Sequence, residues 1–519
     1  MNTNISQALH FLSTPNQKND EVSNSTNVRE SDVHVTHLKR SLKSRHMSMI
    51  AIGGTIGTGL FVGSGSALYM SGPAGSLTAY FIIGTMIYFI ISSLGEMCSY
   101  IPVSDPLSYF SSTFIDPALG FAFGWNYWFS WMVTISAELV TTGIVMKFWF
   151  PKVNQTIWSF SAWFIIVSVN SFSVRGFGEV EFYLSFFKIC AVLVFIVIGI
   201  FTIAGVTGGT KIGFSNWQNN ESPFFNGIAG ITSSCITAAF SFQGTEIIGI
   251  TVGESENPKR DVPRAIRSVF FRIMLFYILT IFIIGLAIPR TNSNLINAST
   301  SNISISPFTI VFQLSGIKWA PHLINAVVLI AIISAGNSGL YACTRVLWVL
   351  ATQGKAPRLL RKTTKHSVPF YALLSTALFS ALFVIILADG TSKAYNILID
   401  IAGVTGFIFW MGILLSHLRF RKAFVAQGKP LDNLPYKSFL YPFGQYYSIF
   451  LLTFIIIGQG YDIIYPKFLV VPFISKYVPI ILFFVLWLSY RLVKKTKFVD
   501  PFEADLYKNS IETIEMRSI

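Results

Sequence analysis

The feature that most constrains this chain is a series of long apolar runs. Twelve windows of mostly apolar residues fall at 48–68, 75–99, 121–146, 157–174, 182–206, 227–250, 269–289, 320–351, 369–388, 395–417, 444–465 and 474–493. A helix needs about 20 such residues to cross a bilayer. Lipid offers the backbone no hydrogen-bond partner, and runs of this length satisfy it as helices. Composition agrees: 52% of the 519 residues are hydrophobic and 12% charged, against about 25% charged in soluble domains. The expected fold class is an all-α polytopic membrane protein with twelve transmembrane helices. Residues 1–46 are rich in Ser, Asn and Thr and lack the apolar core of a signal peptide, so they are expected to form a disordered tail. Cys98, Cys190, Cys235 and Cys343 all lie in apolar runs. They read as small buried hydrophobes, with neither a disulfide framework nor metal-ligand spacing.

The formal net charge is +14. In a soluble protein this would suggest a nucleic-acid partner. Here the placement of the charges speaks against one, because membrane proteins collect Lys and Arg in cytoplasmic loops. An even number of spans puts both tails on one side. That side holds Lys39, Arg40, Lys43 and Arg45 before span one, Lys259 to Arg267 after span six, and Lys355 to Lys365 after span eight. Arg419, Arg421, Lys422, Lys429 and Lys437 follow span ten, and Lys494, Lys495 and Lys497 follow span twelve. The other side has far fewer, so both termini are expected in the cytoplasm. The same topology exposes Asn154, Asn297 and Asn302 outside, each in the N-glycosylation acceptor pattern. Such triplets are common by chance.

Polar interruptions in the apolar runs point to function. Span one reads "IAIGGTIGTGLFVGSG" at 50–65, with glycines at 53, 54, 57, 59, 63 and 65. Two readings stand: close packing of helices through small residues, or a helix unwound in mid-membrane whose free backbone groups grip a substrate. Span six carries "FSFQGTEIIG" at 240–249. Glycine-interrupted spans at corresponding positions of two halves favour the second reading, a broken-helix transport site. In span three, Ser130, Thr134, Glu138 and Thr141 follow steps of four, four and three, which places them on one helix face. Glu138 reads either as a cavity-facing functional group or as a structural carboxylate, because a mid-bilayer charge costs at least about 2.5–3.5 kcal/mol. Lys188 lies near the expected cytoplasmic start of span five. It either snorkels to the interface or stays inside as a protonatable group. Asn337 and Ser338 in span eight read as interhelical packing groups. The loop "GESENPKRDVPRAIR" at 253–267 holds turn or helix-start signals at its Asn-Pro and Val-Pro pairs. No phosphate loop, catalytic triad pattern or metal-ligand spacing is present, so no enzyme activity and no cofactor are expected.

Together "GGTIGTGLFVGSG", "YWFSW" with Glu138, "AAFSFQGTE", "NPKRDVPRAI", "PHLINAVVLIAIISAGNSGLYACTR" and "APRLLRKTTKHSVP" resemble a fungal amino-acid permease of the amino acid–polyamine–organocation superfamily. The resemblance covers roughly residues 38–495. Gln243 in "FQGTE" and the "KTTKHSVP" loop look most like the basic permeases for arginine and lysine. The resemblance implies a LeuT-type fold: two inverted five-helix repeats with helices one and six broken (47–417), two extra helices (418–495) and a cytoplasmic C-terminal tail (496–519). It implies a carboxylate site at Thr55, Ile56, Gly57, Thr58 and Gly59, and a gate and side-chain pocket at Phe242, Gln243, Gly244, Thr245 and Glu246. It implies Lys188, joined by Glu246, in proton coupling, and a selectivity position at Ala402 in span ten. The implied activity is symport of a basic L-amino acid with protons across the plasma membrane. A glutamate at the place of Glu138 also occurs in permeases of neutral amino acids, so it does not by itself mark a cationic substrate. Two departures stand out: Asp105-Pro106 where relatives usually carry small or hydroxyl residues, and Ala402 where basic permeases usually carry threonine. Two other functions are weighed: a broad-range or neutral permease, and a non-transporting sensor, for which a much longer N-terminal extension would be expected.

Overall fold

The computed structural model describes residue 49 and residues 56–172, 174–218, 223–255, 257–292, 295, 306–317, 319–364, 368–386, 391–460, 468, 470–507 and 510. The segment Leu38–Ile519 is one compact unit; the other, Met1–His37, and the rest of the expected tail lie outside the described residues. Among the described residues the regular structure is helical, with no β-strand. A π-helical turn, Gly59–Gly63, leads into α1 (Ser64–Tyr100), which kinks at Gly72 and Pro73. There follow α2 (Pro106–Phe114), α3 (Pro117–Met146), α4 (Gln155–Phe172) and α5 (Val174–Ala204). Next come α6 (Gly227–Phe242), α7 (Ile247–Thr251), α8 (Pro258–Arg272) and, after a second π-helical stretch, α9 (Leu279–Ala287). The rest are α10 (Pro307–Leu314), α11 (Ala320–Thr352), α12 (Phe370–Ile386), α13 (Thr391–Ala426), α14 (Phe443–Gly458) and α15 (Val470–Lys494). Among the described residues seven helical stretches are long and apolar enough to cross a membrane. The chain is a multi-pass membrane protein.

Helix starts follow local chemistry. Asp105 caps α2 through Ser108 N–H (3.2 Å), and Asp116 caps α3 through Ala118 N–H (2.9 Å). Each is followed by proline, whose fixed φ suits the first helical position and whose missing N–H costs nothing there. This accounts for the unusual Asp105-Pro106 pair. Three boundaries differ from the sequence expectation. The helix at span five begins at Val174 rather than 182, so Lys188 sits in mid-helix, not near its start. Span seven extends back through the amphipathic α8, which absorbs most of the expected polar loop. Span ten runs on to Ala426, so Arg419 and Arg421 are helical rather than loop residues. Cys98, Cys235 and Cys343 are buried and Cys190 partly so, all as free thiols.

α3 is at the centre, packed by α2, α4, α11, α13 and α15, while α1 lies along α6. One buried ion pair ties α1 to α13. Glu96 accepts from Arg421 Nε and from Arg421 Nη2 at 2.7 Å, and also from Ser438 N–H at 2.6 Å. Removing one partner of such a pair strands the other charge, at a cost of about 3–5 kcal/mol. Glu96→Ala is therefore expected to lower the unfolding temperature of the detergent-purified protein markedly. The apolar double variant Glu96→Leu, Arg421→Met should recover much of the loss.

A second polar cluster lies beyond the end of α1. Asp105 is 1% exposed, and burial pushes its carboxyl up to about 6. Lys355 donates to Ser112 Oγ at 2.7 Å and reaches Ser108 Oγ at 3.4 Å, and burial lowers it to about 8. A carboxyl raised on folding disfavours the fold as pH climbs through the interval between its unfolded and folded values. Asp105→Asn keeps an N-cap acceptor and removes the charge. It should raise thermal stability at pH 7–8 relative to the parent, and the two unfolding temperatures should converge near pH 4.

Candidate functional site

Two non-helical segments face α3. At the first, Ile56 and Gly57 are non-helical, and Gly57 O accepts from the N–H groups of Leu60 (3.2 Å) and Phe61 (3.3 Å). Thr55 lies outside the described residues. The glycines here serve close approach: a Cβ on Gly59 would stand 2.4 Å from Ser241 Cα, and one on Gly57 would stand 3.1 Å from Ala335 Cβ and 3.3 Å from Glu138 Oε1. Neither has a positive φ. The second spans Gln243 to Glu246, between α6 and α7. There Gly244 has φ +100°, a conformation that L side chains rarely adopt. Its N–H points at the Glu246 carboxylate, 3.2 and 3.3 Å from the two oxygens. Glu246 Oε1 also accepts from Tyr127 OH at 3.4 Å. This carboxylate thus satisfies backbone freed by the break it belongs to.

The span-three stripe divides between the two segments. Ser130 Oγ accepts from Gln243 Nε2 at 2.9 Å, and Thr134 Oγ1 reaches Gln243 Oε1 at 3.3 Å. Glu138 turns instead to the first segment, accepting from Thr58 Oγ1 at 2.9 Å through Oε1. Its Oε2 is buried with no hydrogen-bond partner among the described residues. The expected single pocket of Gln243, Ser130, Thr134 and Glu138 is therefore two adjoining clusters on one helix face. Thr141 bonds its own helix, to Ala137 O. Phe242 is fully buried and stacks on Tyr277, with ring centroids 4.1 Å apart. Thr245 Oγ1 bonds back to Phe242 O. These groups are 0–6% exposed, so the site is closed.

Sequence reasoning missed Thr405. Ala402 on α13 is buried and apolar, but one turn later Thr405 Oγ1 lies 2.8 Å from Ser130 Oγ. Span ten thus supplies its hydroxyl from the next turn, and the "GVTG" run was the available signal. The two proton-coupling candidates have different partners. Lys188 is fully buried, so snorkelling to the interface is excluded. It donates to Ser334 Oγ at 2.8 Å and lies 3.6 Å from Glu181 Oε1. Neither Ser334 nor Glu181 was expected. Asn337 packs as anticipated, between Asn170 Nδ2 (2.8 Å) and Glu181. Asn154 is exposed, while Asn297 and Asn302 lie outside the described residues.

A buried, acceptor-rich face of α3 thus meets a non-helical segment at Ile56 and Gly57 and a helix break at Gln243 to Glu246. The chain belongs to the amino acid permease family, whose pattern matches residues 46–500. It is 44% identical to the lysine-specific permease LysP of Escherichia coli over 464 residues, 89% of this chain and 95% of that one. It is 41% identical to the histidine permease HisP of Lactococcus lactis, over 90% of this chain and 98% of the relative. It is also 41% identical to the basic amino-acid permease of Saccharomyces cerevisiae, over 88% of this chain and 81% of the relative.

The contact of Gly57 with Glu138 and Ala335 yields a graded test. Gly57→Ala needs its neighbours to give by a few tenths of an ångström and should keep most of its transport. Gly57→Val adds two further methyl groups facing a buried carboxylate. It should abolish uptake while the protein still reaches the membrane, as read by radiolabelled uptake beside surface labelling.

Proposed function

We propose that this protein imports basic L-amino acids, lysine or arginine and also histidine, across the plasma membrane by proton symport with alternating access. In this reading it has twelve spans, the first ten forming two inverted five-helix repeats and the last two packing outside them, with both termini cytoplasmic. The observation that carries the substrate class is the acceptor set on α3 and at the Gln243–Glu246 break. Glu138 Oε2 is buried and unpartnered among the described residues, and the adjoining cluster holds Gln243 Oε1, Ser130 Oγ and Thr405 Oγ1. Guanidinium and ammonium groups only donate, so a pocket for them must offer acceptors. Bonds to a charged group have a net worth of about 1.5–3 kcal/mol each. The relatives named for lysine, histidine and basic amino acids agree with that chemistry. The non-helical segment at Ile56 and Gly57 offers backbone groups, and the adjoining Thr58 a hydroxyl, to the substrate's carboxylate and amine. The concentration of Lys and Arg on one side supports the orientation.

The driving force suits such a substrate. One charge crossing 100 mV releases about 2.3 kcal/mol, so a cationic amino acid entering with one proton gains about 4.6 kcal/mol per 100 mV. The test is uptake of radiolabelled arginine, lysine and leucine in permease-deficient cells, at two pH values, with and without an uncoupler. Arginine or lysine should accumulate, more at the lower pH, and the uncoupler should abolish it; preferential leucine uptake would replace the basic-substrate reading with a broad-range one. Inhibition constants for arginine and its neutral analogue citrulline sharpen the assignment. Glu138→Gln and Gln243→Ala should weaken arginine more than citrulline. Equal losses would mean that neither residue reads substrate charge.

A further inference from the structure

Lys188 is not an isolated buried cation. Glu181 and Lys188 are seven residues apart on α5, which places them about 20° from the same helix face two turns apart. That face turns inward: both are fully buried, while Phe186 and Phe187 beside Lys188 are half exposed on the outer surface. Across from them, α11 presents Ser334 and Asn337. Lys188 Nζ donates to Ser334 Oγ at 2.8 Å, and the Ser334 hydroxyl donates to Glu181 Oε1 in a short hydrogen bond. Asn337 Nδ2 holds the second oxygen, Glu181 Oε2, at 3.3 Å, and Asn170 Nδ2 on α4 anchors Asn337 Oδ1 at 2.8 Å. The serine therefore accepts from the lysine and donates to the glutamate, which is the orientation needed to pass a proton between them.

We propose that Glu181 and Ser334 form a proton relay with Lys188, so that Lys188 is discharged inside the protein by handing its proton to Glu181. In this step an Nζ–H bond of Lys188 breaks as the proton moves to Ser334 Oγ. The original Ser334 O–H proton moves to Glu181 Oε1, forming a carboxylic acid. A neutral amine, a serine hydroxyl and a protonated carboxyl result. The pair carries no net charge before or after. The transfer thus avoids the uncompensated charge that losing a proton from a buried lysine, or adding one to a buried glutamate, would otherwise leave.

The charged surroundings are few. Glu138 lies on α3, and Arg345 on α11 lies over the Tyr341 ring, which stacks on Phe177 of α5. Glu179 lies two residues before Glu181 on α5. The other helices packed against α5, namely α4, α9 and α10, have no titratable side chain in their sequences.

The proposal rests on the proton-symport reading, and the experiment separates the two. The full chain is reconstituted in proteoliposomes with the membrane potential clamped. Lysine accumulation driven by one unit of ΔpH, and gradient-free lysine counterflow, are measured for the parent, Ser334→Ala, Ser334→Thr and Glu181→Gln. One coupled proton supports an accumulation ratio of about tenfold per pH unit, a tenfold step being about 1.4 kcal/mol. The parent and Ser334→Thr should approach that ratio. Ser334→Ala and Glu181→Gln should fall toward equality inside and outside, with counterflow retained and its pH profile flattened. If the parent accumulates lysine and Ser334→Ala does so equally, the relay is overturned and symport stands. Loss of counterflow together with accumulation in both Ser334→Ala and Glu181→Gln makes the cluster structural and overturns the relay. If the parent itself shows no ΔpH-driven accumulation, the symport reading fails and the relay falls with it.

Discussion

The structure depends on one constraint: backbone polar groups freed inside a membrane protein must find partners within it. Lipid supplies none, so a helix can break at membrane depth only where protein surrounds the break. The Gln243–Glu246 break meets this condition with its own residues, since the Glu246 carboxylate takes the Gly244 N–H and the Tyr127 hydroxyl. The non-helical backbone at Ile56 and Gly57 meets it by proximity. Gly59 lets the chain approach the backbone of Ser241, and Thr58 bonds to Glu138. The central position of α3 follows, because it is the helix that both segments lean on.

This arrangement gives the buried carboxylates different work. Glu96 is locked in a bidentate pair with Arg421 and tied to the Ser438 backbone, which joins two helices at one end of the molecule. Glu246 holds a helix break. Glu138 keeps one oxygen without a hydrogen-bond partner among the described residues, which leaves it an acceptor to offer. Glu181 faces a lysine through a serine. Burial alone would make all four costly; it is the neighbour of each that separates structural anchors from groups with capacity to spare.

Several sequence readings failed at helix ends. Glu181 fell one residue outside the apolar window at 182–206, because a carboxylate lowers the local apolarity that defines such a window. The helix itself starts at Val174, since a polar residue facing a protein partner is tolerated where one facing lipid is not. The same effect hid Arg421 within the helix of span ten. The spacing of Glu181, Ser185 and Lys188 was nevertheless available, at steps of four and three on one helix face.

The sequence by itself determined that the chain is a multi-pass helical membrane protein, that span six is interrupted, and that Ser130, Thr134 and Glu138 share a face. Those features follow from local rules: apolar length, glycine and turn residues, and a 3.6-residue period. Only the tertiary structure decided which partner each polar group takes. It sent Glu138 to Thr58 rather than Gln243, brought Thr405 to Ser130 in place of Ala402, and joined Lys188 to Glu181 across a serine on α11. Pairings of that kind depend on the rotation and depth of one helix against another, which packing of the whole bundle sets and no local pattern encodes.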